Sequence, residues 1–189
     1  MAAFLFIFII LALVIGTIIL IHNRIIRHFN ATIRAWSDVI SFERQKLKTL
    51  EELAPVVEQY ASMEKSTLEK VTELRQNIMN LNINQADASQ LQRVEALSKE
   101  LFRSLNVVVE NYPELKANQL YIKMMEEVDE QNENVGAAIT IYNRNVEVFN
   151  SYIQVFPNHL INTSFSKKKT IRPFRDQTAN QSFDYRPNF

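Results

Sequence analysis

Residues 119–156 read QLYIKMMEEVDEQNENVGAAITIYNRNVEVFNSYIQVF. Tyr121, Met125, Val128, Asn132, Val135, Ile139, Tyr142, Val146, Phe149, Ile153 and Phe156 recur in alternating steps of four and three. That spacing keeps one stripe of an α-helix turned toward a partner helix. A long helix with such a seam buries it against other long helices, so the predicted fold is all-α, an antiparallel bundle. Asn132 takes a seam position, where a polar side chain costs stability but fixes register. Gly136, Ala137 and Ala138 thin the helix and predict a closely approaching neighbour.

Composition agrees. Glycine occurs only at Gly16 and Gly136, too sparsely for a sheet with hairpin turns. There are no cysteines, which excludes disulfides, thiolate metal sites and cysteine nucleophiles. The 21 basic and 21 acidic residues give a net charge of zero, so no basic field points to a nucleic-acid partner.

Upstream, Trp36, Ile40, Leu47, Leu50, Val57, Leu68, Val71 and Ile78 form another helical stripe over residues 25–81. Pro55 interrupts it. A kink there leaves one rod of about 85 Å and three long helices in all. A break makes the chain double back and adds a fourth. No Gly, Asn or Ser accompanies Pro55 to build a turn, which favours the kink. The polar stretch at 82–87 predicts a reversal, with Asp87 as the next helix's N-cap. That helix carries Leu91, Val94, Leu101, Leu105, Val108 and Tyr112 and ends before Pro113. A short connection follows, and Asn118 is placed to cap the last helix.

Residues 2–21, AAFLFIFIILALVIGTIILI, carry no charge. As a helix they span about 30 Å, the thickness of a bilayer's hydrocarbon core. The run lacks the basic start and small-residue cleavage site of a signal peptide, so it reads as an uncleaved transmembrane anchor. Arg24, Arg27 and Arg34 follow it, and only the terminal amine precedes it. The positive-inside rule then places the N-terminus outside and the domain in the cytoplasm. No turn residue separates the anchor from the first bundle helix, which predicts one continuous rod. Three regions result: an anchor at 1–23, a bundle at 24–157 and an irregular tail at 158–189. Within the tail Lys167, Lys168, Lys169, Arg172 and Arg175 interleave with Phe165, Ile171 and Phe174. Such a pattern suits a segment held to an anionic membrane face, although an ordinary solvated tail would read the same.

Three stretches resemble the LemA family in order and spacing. These are Glu110 to Asn118 (ENYPELKAN), then Ile141-Tyr142-Asn143 with Val146 and Phe149-Asn150, then Phe156-Pro157-Asn158 with Leu160. Ala35 to Val39 (AWSDV), and Tyr60-Ala61 followed by Glu64, Leu68, Val71 and Arg75, are similar to the family's first long helix. Here the proline of that helix stands at Pro55, and Ser164-Phe165-Ser166 replaces the family's Gly-Phe after the last helix. The resemblance implies a single N-terminal anchor, a cytoplasmic antiparallel bundle and no established enzymatic activity.

The residues themselves offer no catalytic set. No His-Glu-x-x-His, Gly-x-Ser-x-Gly, phosphate loop or Glu-x-x-His pair occurs. His22 and His28 flank the anchor and His159 lies in the tail. No cofactor, metal or small-molecule substrate is therefore expected. One constellation stands out: Glu64 and Arg75 share a helical face with Leu68 and Val71 and are expected to meet Asn132, Tyr142 and Asn143 in the bundle. Opposite charges on a seam specify register more often than they build a pocket. The expected function is a membrane-integral scaffold that binds a protein partner or itself. The alternative is a membrane-shaping protein that holds lipid through the anchor and the basic tail.

Overall fold

The structure is a computed structural model that describes residues 1–60 and 65–175. Helix α1 spans Ala2–Tyr60, 59 residues without interruption. It begins as an apolar rod with exposed side chains such as Phe4, Phe8 and Leu13. From Ile25 onward its inner face is buried. The apolar run and the first bundle helix are thus one helix, about 88 Å long.

Helices α2 (Lys65–Met79), α3 (Ala88–Asn111) and α5 (Gln119–Gln154) complete the bundle, and α4 (Pro113–Lys116) is a single turn between the last two. Asp87 caps α3, accepting from the N–H groups of Ser89 and Gln90, and Asn118 caps α5 in the same way. Each side chain satisfies donors that a helix start leaves open.

Cross-helix pairs give the topology. Phe29 meets Phe149, Trp36 meets Tyr142 and the Thr49 hydroxyl meets Glu127. As the α1 number rises the α5 number falls by about as much, so the two helices are antiparallel over the length of α5. Arg75 reaches Glu51 at 3.0 Å, and the Trp36 indole donates to the Asn82 carbonyl at 2.8 Å. Helix α2 therefore folds back along α1. Lys70 with Glu100 and Glu73 with Arg93 pair α2 with an antiparallel α3.

This settles the question posed by Pro55 and corrects the favoured rod. The helix does run through Pro55, but α2, from Lys65, lies antiparallel to it as a fourth long helix among the described residues. The physical reason is burial. Helix α5, at 36 residues, covers only as much of α1 as lies between the apolar run and Tyr60. An extended rod would strand Leu74, Ile78 and Leu81, which the fold-back buries to 3 % exposure or less.

The seam of α5 buries Tyr121, Val128, Val135, Ala138, Tyr142, Val146, Phe149 and Ile153. Phe156, expected as its last member, lies past the end of the helix and is exposed. Gly136 faces open space, with nothing within 4 Å of where a Cβ would stand. It lines a groove of about 380 Å³ between α3 and α5, with Ser98, Phe102 and Asn132, in place of the close neighbour expected there.

The tail also departs from expectation. Asn158–Ile161 forms the turn α6, and Asn162–Ser166 closes in a π-turn. Residues 167–175 then run back along α5 as an irregular strap, with Ile171 and Phe174 packed against the core.

Candidate functional site

The strap is held by asparagines. Asn150 donates through Nδ2 to the Ile171 carbonyl at 2.8 Å and accepts the Ile171 N–H through Oδ1 at 2.9 Å. Asn143 treats Phe174 identically, at 2.9 and 2.8 Å. Asn162, in the π-turn, treats Lys168 identically, at 2.9 and 3.1 Å. A side-chain amide carries both a donor and an acceptor, so each asparagine satisfies both main-chain groups of one residue, as a neighbouring strand would.

The spacing is commensurate. Seven residues of helix, from Asn143 to Asn150, rise about 10.5 Å, and three residues of extended chain, from Ile171 to Phe174, advance about 10 Å. A heptad of α5 therefore matches three residues of strap, and only one register satisfies both clasps. Two further bonds fix it: the Tyr142 hydroxyl donates to the Arg172 carbonyl at 3.0 Å, and the Gln92 amide of α3 donates to the Arg175 carbonyl at 2.8 Å. The strap thus bridges α5 and α3 beside the groove, which Phe174 also lines. Tyr142 is fully buried against Trp36, with ring centroids 5.3 Å apart. Burial, and secondarily the Asp87 carboxylate, pushes its phenol up to about 12, so it stays a neutral donor.

At the other end of the strap Lys167 is left-handed, with φ of 50°, and closes the π-turn onto the Asn162 carbonyl. The Lys168 ammonium stands 3.9 Å from the centroid of the Phe29 ring, a cation–π contact. Ser166 and the His22 imidazole of α1 share a hydrogen bond of 2.9 Å.

A second polar cluster lies inside the bundle. Glu43 and Lys46 are both fully buried on α1, and the ammonium stands 3.0 and 3.2 Å from the two carboxylate oxygens. Glu95 of α3 lies 3.9 Å from the same ammonium. Burial is the main force on Glu43 and raises its carboxyl; Lys46 lowers it, Glu95 raises it, and the outcome is about 7. The buried Ser98 hydroxyl has no hydrogen-bond partner among the described residues. Among them, too, no three His, Cys, Asp or Glu side chains converge to hold a metal ion.

The residues singled out from sequence do not form one face. Glu64 lies outside the described residues. Arg75 pairs with Glu51, while Tyr142 stands opposite Trp36, about 22 Å away along α1. Asn132 lines the groove. Tyr142 and Asn143 instead engage the strap, whose residues had been read as a separate basic patch. That patch divides as well. Lys167, Lys168 and Lys169 follow Ser166 beside the end of the apolar run, whereas Arg172 and Arg175 lie further up the bundle, at the levels of Tyr142 and Gln92. Sequence reasoning missed Asn150 and Asn162 as clasps, Gln92, and the Glu43–Lys46 pair. Two asparagines seven residues apart on one helix face were the available signal for the first.

An antiparallel four-helix bundle, bound by its own C-terminal strap and grown from a helix long and apolar enough to cross a membrane, defines a helical-bundle protein with a candidate anchor. The chain belongs to the LemA family, whose sequence pattern matches residues 35–183. The match takes in most of the bundle, from residue 35 of α1, and the strap. Over 134 residues the chain is 28 % identical to the protein named Protein LemA of Metamycoplasma hominis, a stretch covering 71 % of this chain and 60 % of that relative.

Proposed function

We propose that this protein is a single-pass, membrane-anchored helical scaffold without catalytic activity, whose bundle binds a protein partner or a second copy at the cytoplasmic face of a bacterial inner membrane. The observation that carries this reading is α1. Residues 3–15 of it are exposed throughout and suit lipid, and the same helix continues without interruption into the buried core. Exposed Arg24, Arg27 and Arg34 follow the apolar run on the side of the bundle, which supports a cytoplasmic domain. The end of the bundle far from the anchor carries exposed apolar side chains at Val107, Tyr112, Leu120 and Ile122, suited to a partner surface.

The test is photo-crosslinking in native membranes, with the reactive group placed at Leu120 or Ile122 of the full chain. A recurrent adduct with one protein, or with a second copy, is expected. A protein that stays monomeric and partner-free at both positions contradicts the reading.

A further inference from the structure

The geometry points to a second contact with the bilayer, separate from the spanning helix. The corner made by the end of α5, α6 and the π-turn lays Phe156, Leu160 and Phe165 into the lipid interface beside α1. The inference rests on α1 crossing the membrane, and it adds a lipid-binding surface to that reading.

Position is the first argument. Helix α5 descends α1 in antiparallel register, and below Phe149 its Ile153, together with Ile161 of α6, is buried around Ile25 of α1. Ile18 and Ile21 pack against the same cluster, and His22 reaches Ser166. Ile18 and Ile21 belong to the last turn of the uncharged run at 2–21. Ile18 lies about 4.5 Å inside its end. A corner packed on those side chains stands at the boundary of the hydrocarbon, on whichever side of the membrane the bundle lies.

Exposure is the second. Phe156 is 82 % exposed, Phe165 59 % and Leu160 56 %, while Asn158, Ile161 and Asn162 in the same turns are buried. The turns therefore have an inner face committed to α1 and α5, and an outer face on which Leu160 and Phe165 stand out among exposed His159, Thr163 and Ser164. Single exposed apolar residues need no explanation. Three large ones within ten residues, on two consecutive turns and the link that enters them and near the exposed apolar surface of α1, extend the surface offered to lipid. Charge is the third argument. Exposed Lys167 and Lys169 follow the corner and exposed Arg24 stands beside it on α1, at the level where cations meet lipid headgroups. Aromatic and aliphatic groups inside a fringe of cations are the composition of an interfacial membrane contact. A protein partner would have to share this position with the headgroups.

The chain contains no cysteine, so single nitroxide labels can be placed without background. Phe156→Cys, Leu160→Cys and Phe165→Cys are compared with Phe8→Cys within the apolar run and Ile122→Cys at the far end of the bundle. Each full-length protein is reconstituted in vesicles of phosphatidylethanolamine and phosphatidylglycerol. Accessibility to oxygen, which concentrates in lipid, is measured against a nickel chelate, which stays in water. Labels at the corner are expected to give oxygen-to-nickel ratios between those of the two references. Corner labels as nickel-accessible as position 122, with position 8 oxygen-rich, overturn the inference and leave the anchor standing. A position 8 label that matches position 122 overturns both.

Discussion

Asn143 grips both main-chain polar groups of Phe174, accepting its N–H at 2.8 Å and donating to its carbonyl at 2.9 Å. Each bond contributes on the order of 1 kcal/mol net. Asn143→Ala removes both and breaks the register between the strap and α5. The expected result is local: amides of residues 168–174 exchange faster and trypsin cuts sooner after Lys168 and Lys169, while the global unfolding midpoint moves little. Asn145→Ala is the control, because among the described residues Asn145 bonds to Ile141 in its own helix. Equal protection of the strap in both variants would show that the clasp is incidental.

Burial raises the Glu43 carboxyl from 4.5 to about 7, and the sign of the consequence is fixed by linkage. The folded state holds this proton more tightly than the unfolded chain does. The stabilisation is therefore complete below about pH 4.5 and is lost as pH rises through about 7, an effect on the order of 3 kcal/mol. Glu43→Gln cannot ionise and lacks this loss. Chemical denaturation at about pH 5 and about pH 8 should show the variant gaining on the parent at the higher pH. A difference independent of pH contradicts the assignment.

Lys167 adopts φ of 50° at the close of the π-turn, a conformation that a β-branched residue resists and glycine accepts. Lys167→Val should destabilise the turn by about 1–2 kcal/mol, and Lys167→Gly should be neutral or slightly stabilising. Exchange of the Lys167 amide, bonded to the Asn162 carbonyl, reports on both. Equal exchange in the two variants would place the backbone elsewhere.

Trp36 is fully buried, packs on Tyr142 and donates to the Asn82 carbonyl. It ties α1 to α5 and to the loop before α3. Trp36→Ala should cost about 3–5 kcal/mol. Trp36→Phe keeps much of the packing but leaves the Asn82 carbonyl without its donor, at about 1–2 kcal/mol. Thermal unfolding followed by circular dichroism orders the two, and a cost for Trp36→Phe as large as that for Trp36→Ala would shift the weight from packing to the hydrogen bond.

Periodicity made the all-α bundle legible, because the stripe from Tyr121 to Ile153 has only one geometry that buries it. The caps at Asp87 and Asn118 were legible because they satisfy local donors. The reversal after Tyr60 was not, since it depends on how much of α1 the distant α5 can cover. The strap was not either: its sequence is polar and irregular, and its order comes from Asn143, Asn150 and Asn162, whose partners are main-chain atoms that carry no sequence signal. Tyr142 and Asn143, expected beside Glu64, Arg75 and Asn132, bond instead to the main chain of Arg172 and Phe174.

The apolar run and the first bundle helix form one continuous helix. Nitroxide labels at Val14 and Arg44, both exposed on α1, measure this by pulsed electron–electron resonance in vesicles. One continuous helix predicts a narrow distance distribution centred near about 45 Å. A broad distribution at shorter distances, as a hinge at the membrane surface would produce, contradicts it.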